Sequence, residues 1–511
     1  MHSEQLKVQA GVAAMTPFEI TMIVSILVMG FYGLYGLLSF KRTSSFDEFF
    51  LNNRKLTKSN VRNTFTGASI SIATVLIFFL TIGIAFGGWI FWSPLTLAIG
   101  ILAFNYIVYP KITSNKKVIS ALRGEAAVPI RSLSDFLRYM YDSSFVASMT
   151  TFVSACGILS ILVAEMMVGV EIYKEYFLQP EWIVLMLGIT LFLYAGFGGM
   201  KSVVETDRWQ VYLICISIFL IVVYISQRIF VLPEETETSI TLNDLFLDWT
   251  PQAKMPASLW ANMLVVNLCL LPSSLRVWQV LAASSKQGKF QRGLFESALI
   301  IVAIVVGTLV ISKGIIGLTG QPNQSISSIF LFLTDSGGWA AFIIYPIFVA
   351  AMLSALVSTA DSAILPLSQG TVSFFGKEET FSIKWNMLNI LGWILATIFA
   401  FWLVKYVLKM DLVNWILTVF SITTCVAPVV VIPLFFKDRK LTKAGNALVG
   451  GGIIAALIAA ICWSVFFRQD FAMISWNCVI GFGISLILTM TAFWFLSNHD
   501  VSNSNMQQET A

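Results

Sequence analysis

Thirteen apolar runs dominate this chain, each long enough to cross about 30 Å of hydrocarbon. They fall at roughly 17–39, 64–87, 89–109, 145–172, 181–197, 208–231, 258–276, 293–320, 338–370, 383–408, 411–435, 444–467 and 472–496. Segments of this length and apolarity are read as helices, because a helix satisfies every peptide group within its own segment. Only 12% of the residues are charged and 57% are hydrophobic, roughly half the charge of a soluble domain. The fold class expected is an all-α polytopic membrane protein of about thirteen transmembrane helices, a single transmembrane domain over 1–511 with no soluble part.

An odd number of spans puts the termini on opposite sides. With the N-terminus outside and the C-terminus cytoplasmic, three-quarters of the 32 Lys and Arg fall in inner segments, Arg54, Arg131, Lys201, Arg276 and Lys440 among them. That asymmetry is what the positive-inside rule requires, and it points to the cell (inner) membrane. The first run, starting near Phe18, is too long for a signal-peptide core and lacks a small-residue cleavage site, so it reads as a permanent helix. The longest outer loop, 232–257, sets Glu234, Glu235, Glu237, Asp244 and Asp248 against Lys254. In the inner segment 110–144, Ser132-Leu133-Ser134-Asp135-Phe136-Leu137 reads as an amphipathic surface helix capped by a serine or an aspartate. The polar tail from Ser497 reads as disordered.

Several functions are disfavoured at this point. Cys156, Cys215, Cys269, Cys425, Cys462 and Cys478 all lie in apolar runs without metal-ligand spacing, and act as small hydrophobes. His2 and His499 sit at the two ends, which leaves no histidine for haem, zinc or a proton relay in the membrane core. The inner loops are short and lack the histidine or acidic clusters of a metal or phosphate site. The chain is therefore not expected to be an enzyme, and no cofactor is expected.

One stretch carries chemistry of another kind. In Ala350-Ala351-Met352-Leu353-Ser354-Ala355-Leu356-Val357-Ser358-Thr359-Ala360-Asp361-Ser362, residues Ser354, Ala355, Ser358 and Ser362 share a helix face, flanked by Thr359 and Asp361. Hydroxyls and a carboxylate inside a membrane need partners that hydrocarbon does not supply. A small hard cation is the leading candidate. The alternative is that Ser358 and Thr359 bond back to carbonyls one turn earlier.

Other features share that region of chemistry. Two spans are interrupted at corresponding places, one at Thr66-Gly67-Ala68-Ser69-Ile70-Ser71 and one at Leu271-Pro272-Ser273-Ser274, where proline frees a carbonyl. Tyr194-Ala195-Gly196-Phe197-Gly198-Gly199-Met200 ends one span, and Thr206 or Asp207 is placed to cap the next. The run from Tyr194 to Gln210 resembles the signature of the sodium:solute symporter family, a tyrosine-led Gly-Gly turn followed by Thr-Asp and Gln. Three more stretches resemble that family in order. Leu51-Asn52-Asn53-Arg54-Lys55-Leu56 is similar to its Leu-Gly-Gly-Arg-Ser-Leu segment, with asparagine for both glycines. Leu281-Ala282-Ala283 matches the Leu-Ala-Ala after its sixth core helix, although the preceding arginine is Gln279 here. Ala351 to Leu365 is similar to its Ala-Ala-x-x-Ser-x-x-x-Ser-Thr-x-x-Ser segment, especially in the proline and pantothenate branch.

The resemblance implies a leucine-transporter-type inverted repeat of five plus five helices, at about 64–231 and 258–435. One extra helix, 17–39, comes before it and two, within 444–496, come after. It implies a sodium ion held by the carbonyls of Gly67, Ile70 and Ala355 and the hydroxyls of Ser358 and Thr359. Asp207, Asp361 and Ser362 form a possible second site that takes sodium or a proton, or Asp361 is simply hydrated near the inner surface. Glu165, inside its span, either faces a substrate cavity or pairs with a buried polar group. Ser71, Thr74, Asn267, Ser273 and Trp278 are further cavity candidates. The expected function is sodium-coupled secondary active import of a small organic solute, with an amino acid or carboxylate favoured, by alternating access. The expected partners are that solute, sodium and the lipid bilayer, with no nucleic acid, and the carrier is expected to work as a monomer. A proton-coupled carrier of the same fold and a transporter-like nutrient sensor are the alternatives.

Overall fold

The computed structural model describes residues 16–40, 45–69, 89, 91–174, 179–231, 254–284, 289–319, 326–335, 340–375, 382–436 and 439–499. Helix α1 (Pro17–Ser39) opens on a capping box, with Thr16 Oγ1 accepting from the Glu19 amide and the Glu19 carboxylate accepting from the Thr16 amide. The short α2 (Phe46–Leu51) leads into α3 (Lys58–Ser69). Then come α4 (Trp92–Ala103), which continues through a π-turn to Thr113, α5 (Lys116–Arg123), α6 (Leu133–Tyr141), α7 (Ser144–Tyr173) and α8 (Trp182–Val231). The second half holds α9 (Ala257–Ser273), α10 (Leu275–Ser284), α11 (Phe290–Thr319), α12 (Ile326–Asp335), α13 (Tyr345–Phe374) and α14 (Ile383–Trp402). It closes with α15 (Leu412–Thr424), α16 (Ala427–Val431), α17 (Lys443–Phe466), α18 (Phe471–Ile474) and α19 (Asn477–Phe495).

Among the described residues ten helices are long and apolar enough to cross a membrane, or eleven when the pair α9–α10, bent by 46°, counts as one span. The chain is thus a multi-pass membrane protein. The expected span at 64–87 is described as far as Ser69; the rest of it, and 232–253 of the expected outer loop, lie outside the described residues.

Helix α8 merges two expected spans that meet at Gly199 with no loop between them. Gly199 has φ +60° and ψ −164°, and a Cβ there would lie 2.8 Å from the Phe49 carbonyl oxygen, so both the conformation and the space require glycine. The helix resumes at once, which corrects the expectation that Thr206 or Asp207 caps it. Thr206 instead lies two turns inside and bonds back to the Ser202 and Val203 carbonyls. Helix α6 is capped by Ser132 in a capping box with Asp135, as expected, and it buries Leu133, Phe136 and Leu137 while Tyr139 stays exposed, the amphipathic pattern expected. The tail is ordered at its start, where β2 (Ser497–His499) pairs antiparallel with β1 (Arg439–Leu441); 500–511 lie outside the described residues.

Burial sorts the helices. Every residue of α13 from 351 to 370 is buried, whereas α1 turns Leu27, Phe31, Leu34 and Leu38 outward, as a lipid-facing helix does. Helix α13 packs against α8, α7, α1, α3 and α10, and α3 is wedged between α11, α8 and α13. At one end of this bundle Asn52 and Asn53 take left-handed conformations, φ 46° and 52°. Asparagine tolerates that region better than other non-glycine residues. The turn buries Arg54, whose guanidinium meets Asp47 at 3.1 Å, the Ile130 carbonyl at 3.3 Å and the Leu122 carbonyl.

Candidate functional site

Three helices converge where α13 is most deeply buried. Ser358 Oγ on α13 donates to Asp207 Oδ1 on α8 at 3.0 Å. A Cβ added to Gly67 on α3 would lie 2.9 Å from that Ser358 oxygen and 3.3 Å from Asp207 Oδ1. Glycine is what lets the α3 backbone come this close. Tyr194 braces the α8 side, donating to the Ser202 carbonyl at 3.2 Å and bonding the Thr206 hydroxyl, with its ring edge-on to Tyr32 of α1 at 5.3 Å.

Ser358 and Thr359 behave unlike most hydroxyls in this bundle. Thr150, Thr151, Ser160, Thr308, Thr371 and Thr397 all donate to a carbonyl four residues earlier at 2.7–2.9 Å. Ser358 does not; its donor goes to Asp207. Thr359 Oγ1 is buried and has no hydrogen-bond partner among the described residues. The back-bonding alternative for this pair is therefore removed, and Thr359 keeps a buried oxygen whose desolvation no described residue compensates.

Asp361 follows on the same helix. Its Oδ1 accepts from Ser362 Oγ at 2.9 Å, and its Oδ2 is buried with no hydrogen-bond partner among the described residues. Both Asp207 and Asp361 have 0% exposure, so neither is hydrated at a surface. Burying two carboxylates together is costly unless positive charge is near. It comes from Arg276 on α10, whose Nη2 donates to the Thr64 carbonyl of α3 at 2.5 Å and lies 4.0 Å from Asp207 Oδ2.

A cavity of about 190 Å³ adjoins this cluster. Thr359, Ser362 and Arg276 stand on its wall, with Ser69, Ser93, Asn262, Asn267 and Ser274 as further polar groups among apolar residues such as Phe65, Ile158, Met263, Leu417 and Phe420. Asn267 is already tied to Thr96 Oγ1 at 2.8 Å. A mostly apolar pocket with a few convergent polar groups is the usual form of a small-molecule site.

The structure thus brings together Gly67, Ser358, Thr359, Asp207, Asp361 and Ser362. Ala355 is buried one turn before Ser358 and Thr359, and lines a separate small void with Ile214 and Ile304. Asn267 reaches the cavity. Trp278 does not line it; its Nε1 donates to the carbonyl of Pro272 at 3.0 Å and its ring stacks on Phe136 at 4.2 Å. Ser273 is buried beside Ser154, which donates to its carbonyl, and Glu165 is fully buried in α7 away from the cavity wall. Ile70, Ser71 and Thr74 lie outside the described residues.

Arg276 is the residue that sequence reasoning missed. It was counted among the inner-loop charges, and the structure corrects this by burying it against Asp207. The signal was present: Arg276 ends an apolar run that resumes at once with Val277 and Trp278, so it lies inside the hydrophobic stretch rather than beyond it. Gln279 sits where the resembling family has arginine, and its Nε2 donates to the Phe50 carbonyl at 3.1 Å.

No protein-family model matches the chain, and no curated protein matches it. Solved structures do. A sodium-coupled sialic acid symporter, in a substrate-bound outward-open state described as revealing a novel sodium site, superposes with a TM-score of 0.69 at 15% identity, over 94% of this chain and 99% of that one. A nucleobase-cation-symport-1 family transporter, closed with bromovinylhydantoin bound, does so with a TM-score of 0.50 at 13% identity, over 89% and 97%. At such identities the likeness is one of fold. The chain is similar to these transporters in adopting the leucine-transporter-type arrangement of inverted five-helix repeats.

Proposed function

We propose that this chain is a sodium-coupled secondary active transporter of the sodium:solute symporter type, carrying a small organic solute by alternating access. The observation that carries the reading is the hydroxyl pair Ser358 and Thr359, neither spent on its own helix, set against the glycine-opened backbone of α3. Sodium is a hard cation suited to such oxygens. Its ligands would be the carbonyls of Gly67, Ile70 and Ala355 and the hydroxyls of Ser358 and Thr359.

An ion between α3 and α13 ties together two elements that must separate for the cavity to change sides. Sodium then favours one arrangement, and a solute that binds the same arrangement is bound more tightly, a reciprocal linkage between two sites. The cavity shares Thr359 and Ser362 with the ion cluster, so the two sites are in direct contact. Its size and its amide, hydroxyl and guanidinium lining fit an amino acid or a carboxylate. The carrier would act as a monomer in the cell membrane, with its N-terminus outside. The unpartnered Asp361 Oδ2 favours one second reading, a proton as the coupling ion.

Uptake by the full chain in proteoliposomes separates these. A thermal-shift screen of amino acids, organic acids and sugars in sodium and in potassium would identify the solute first. Uptake driven by an inward sodium gradient is the expected result. Uptake driven by a proton gradient and indifferent to sodium would replace the first reading with the second, and binding without uptake would point to a sensor.

A further inference from the structure

We propose that Arg276 is a tethered cation, its guanidinium standing in for a second metal ion between Asp207 and the α3 backbone, so that the site binds one sodium rather than two. This rests on the sodium-coupled reading above.

The position is built for a cation. Asp207 offers a carboxylate, and Thr64, one turn before Gly67, offers a main-chain carbonyl; Arg276 Nη2 meets the carbonyl at 2.5 Å and the carboxylate at 4.0 Å. A guanidinium keeps its charge under all physiological conditions, unlike an ion that must be loaded from solution. Around it, the hydroxyls of Tyr32 and Tyr194 face the two aspartates.

The charge count then limits what else can bind. With Asp207 and Asp361 both ionised and Arg276 positive, the cluster carries one net negative charge, so one monovalent ion completes the balance that a membrane interior demands. Two buried oxygens on α13, Thr359 Oγ1 and Asp361 Oδ2, have no hydrogen-bond partner among the described residues and remain to face that ion and its charge. Arg276 also stands on the cavity wall, on the short arm beyond the Pro272 break.

The test is sodium binding to the purified full chain, by isotope binding and by sodium-dependent thermal stabilisation against potassium. The expected wild-type result is one sodium per chain with a Hill coefficient near one. Arg276→Gln should raise the stoichiometry to two and steepen the sodium response, and Arg276→Lys should keep it at one. Two sodium ions on the wild type would overturn the proposal, even if Arg276→Gln does not fold. So would a folded Arg276→Gln that still binds one sodium with an unchanged midpoint. If the wild type binds no sodium, the coupling-ion reading fails separately. In that case a new sodium response in Arg276→Gln supports the tethered cation, and an equally silent variant overturns it.

Discussion

The hydroxyl of Ser358 donates to the carboxylate of Asp207 at 3.0 Å, joining residues 151 apart in the chain at the point where α3, α8 and α13 meet. Neighbouring Thr359 has no such partner. The two hydroxyls are therefore chemically distinct, although they are adjacent in sequence and would ligate the same ion.

Thr359→Ala should leave thermal stability in potassium close to wild type, because the hydroxyl it removes bonds to none of the described residues. Its sodium midpoint should rise about 10- to 100-fold, the equivalent of the ~1.5–3 kcal/mol carried by a polar contact to a charge. Ser358→Ala should show the same rise together with a loss of stability in potassium, since Asp207 loses a donor. A sodium titration of melting temperature reads both, and an unchanged midpoint in Thr359→Ala removes that residue from the ligand set.

Gly67→Ala should fold and yet lose most of its sodium response. The added methyl would stand 2.9 Å from Ser358 Oγ and 3.3 Å from Asp207 Oδ1, and both are side-chain atoms that can yield. The movement displaces the very oxygens the ion needs. Purification yield and sodium-dependent uptake, measured together, check this; normal uptake would show that no ion lies between these helices.

Arg54→Met should destabilise the chain by about 1–3 kcal/mol, the cost of leaving buried main-chain carbonyls without their donor, since Asp47 is 36% exposed and keeps Arg131 at 3.2 Å. Arg54 is 1% exposed and serves Asp47 and two main-chain carbonyls at once. Arg54→Lys should recover only part of the loss, because one ammonium cannot reproduce the planar fork. Denaturant-induced loss of ligand-free structure provides the comparison, and wild-type stability in Arg54→Met would refute the clamp.

The pair Glu181–Lys405 should give acid-dependent stability. Lys405 Nζ at 2.9 Å and the Tyr406 hydroxyl at 2.8 Å donate to Glu181 Oε1, and with Lys405 as the larger influence they draw its carboxyl down from an ordinary 4.5 to about 2. The folded pKa is the lower one, so the contribution is fully present above about 4.5 and is lost as the pH falls toward about 2. Lys405→Met should therefore melt below wild type at neutral pH, with the gap closing in acid. A gap of constant size across that window would rule out the ion pair as its cause.

Local features were largely legible. The left-handed pair Asn52–Asn53 was foreshadowed by asparagine in place of two glycines, and the break at Pro272 by proline's missing donor. The Gly199 turn was placed correctly, but the restart of α8 immediately after it was not. A capping residue in the sequence marks where a helix can begin; close packing of Gly199 on Phe49 decided where this one does. The approach of Gly67 to Ser358 followed from the family resemblance, but Asp207, assigned by it to a second site with Asp361 and Ser362, bonds to Ser358 itself. The orientation of Trp278 was not, since its indole answers to Phe136 and a proline carbonyl whose positions the local sequence does not specify.

What the sequence determined by itself is that this chain is helical, multi-pass and polar along one face of α13. Each of those properties is local: in lipid a span satisfies its backbone within its own twenty or so residues, so apolar length and periodicity suffice to read it. Only the tertiary structure decided that Arg276 meets Asp207, that Thr359 has no partner among the described residues, and that the cavity touches Thr359, Ser362 and Arg276. Those outcomes depend on which helix faces which. Between helices in a membrane that choice rests on small-residue fit and single polar contacts rather than on hydrophobicity, which every span shares.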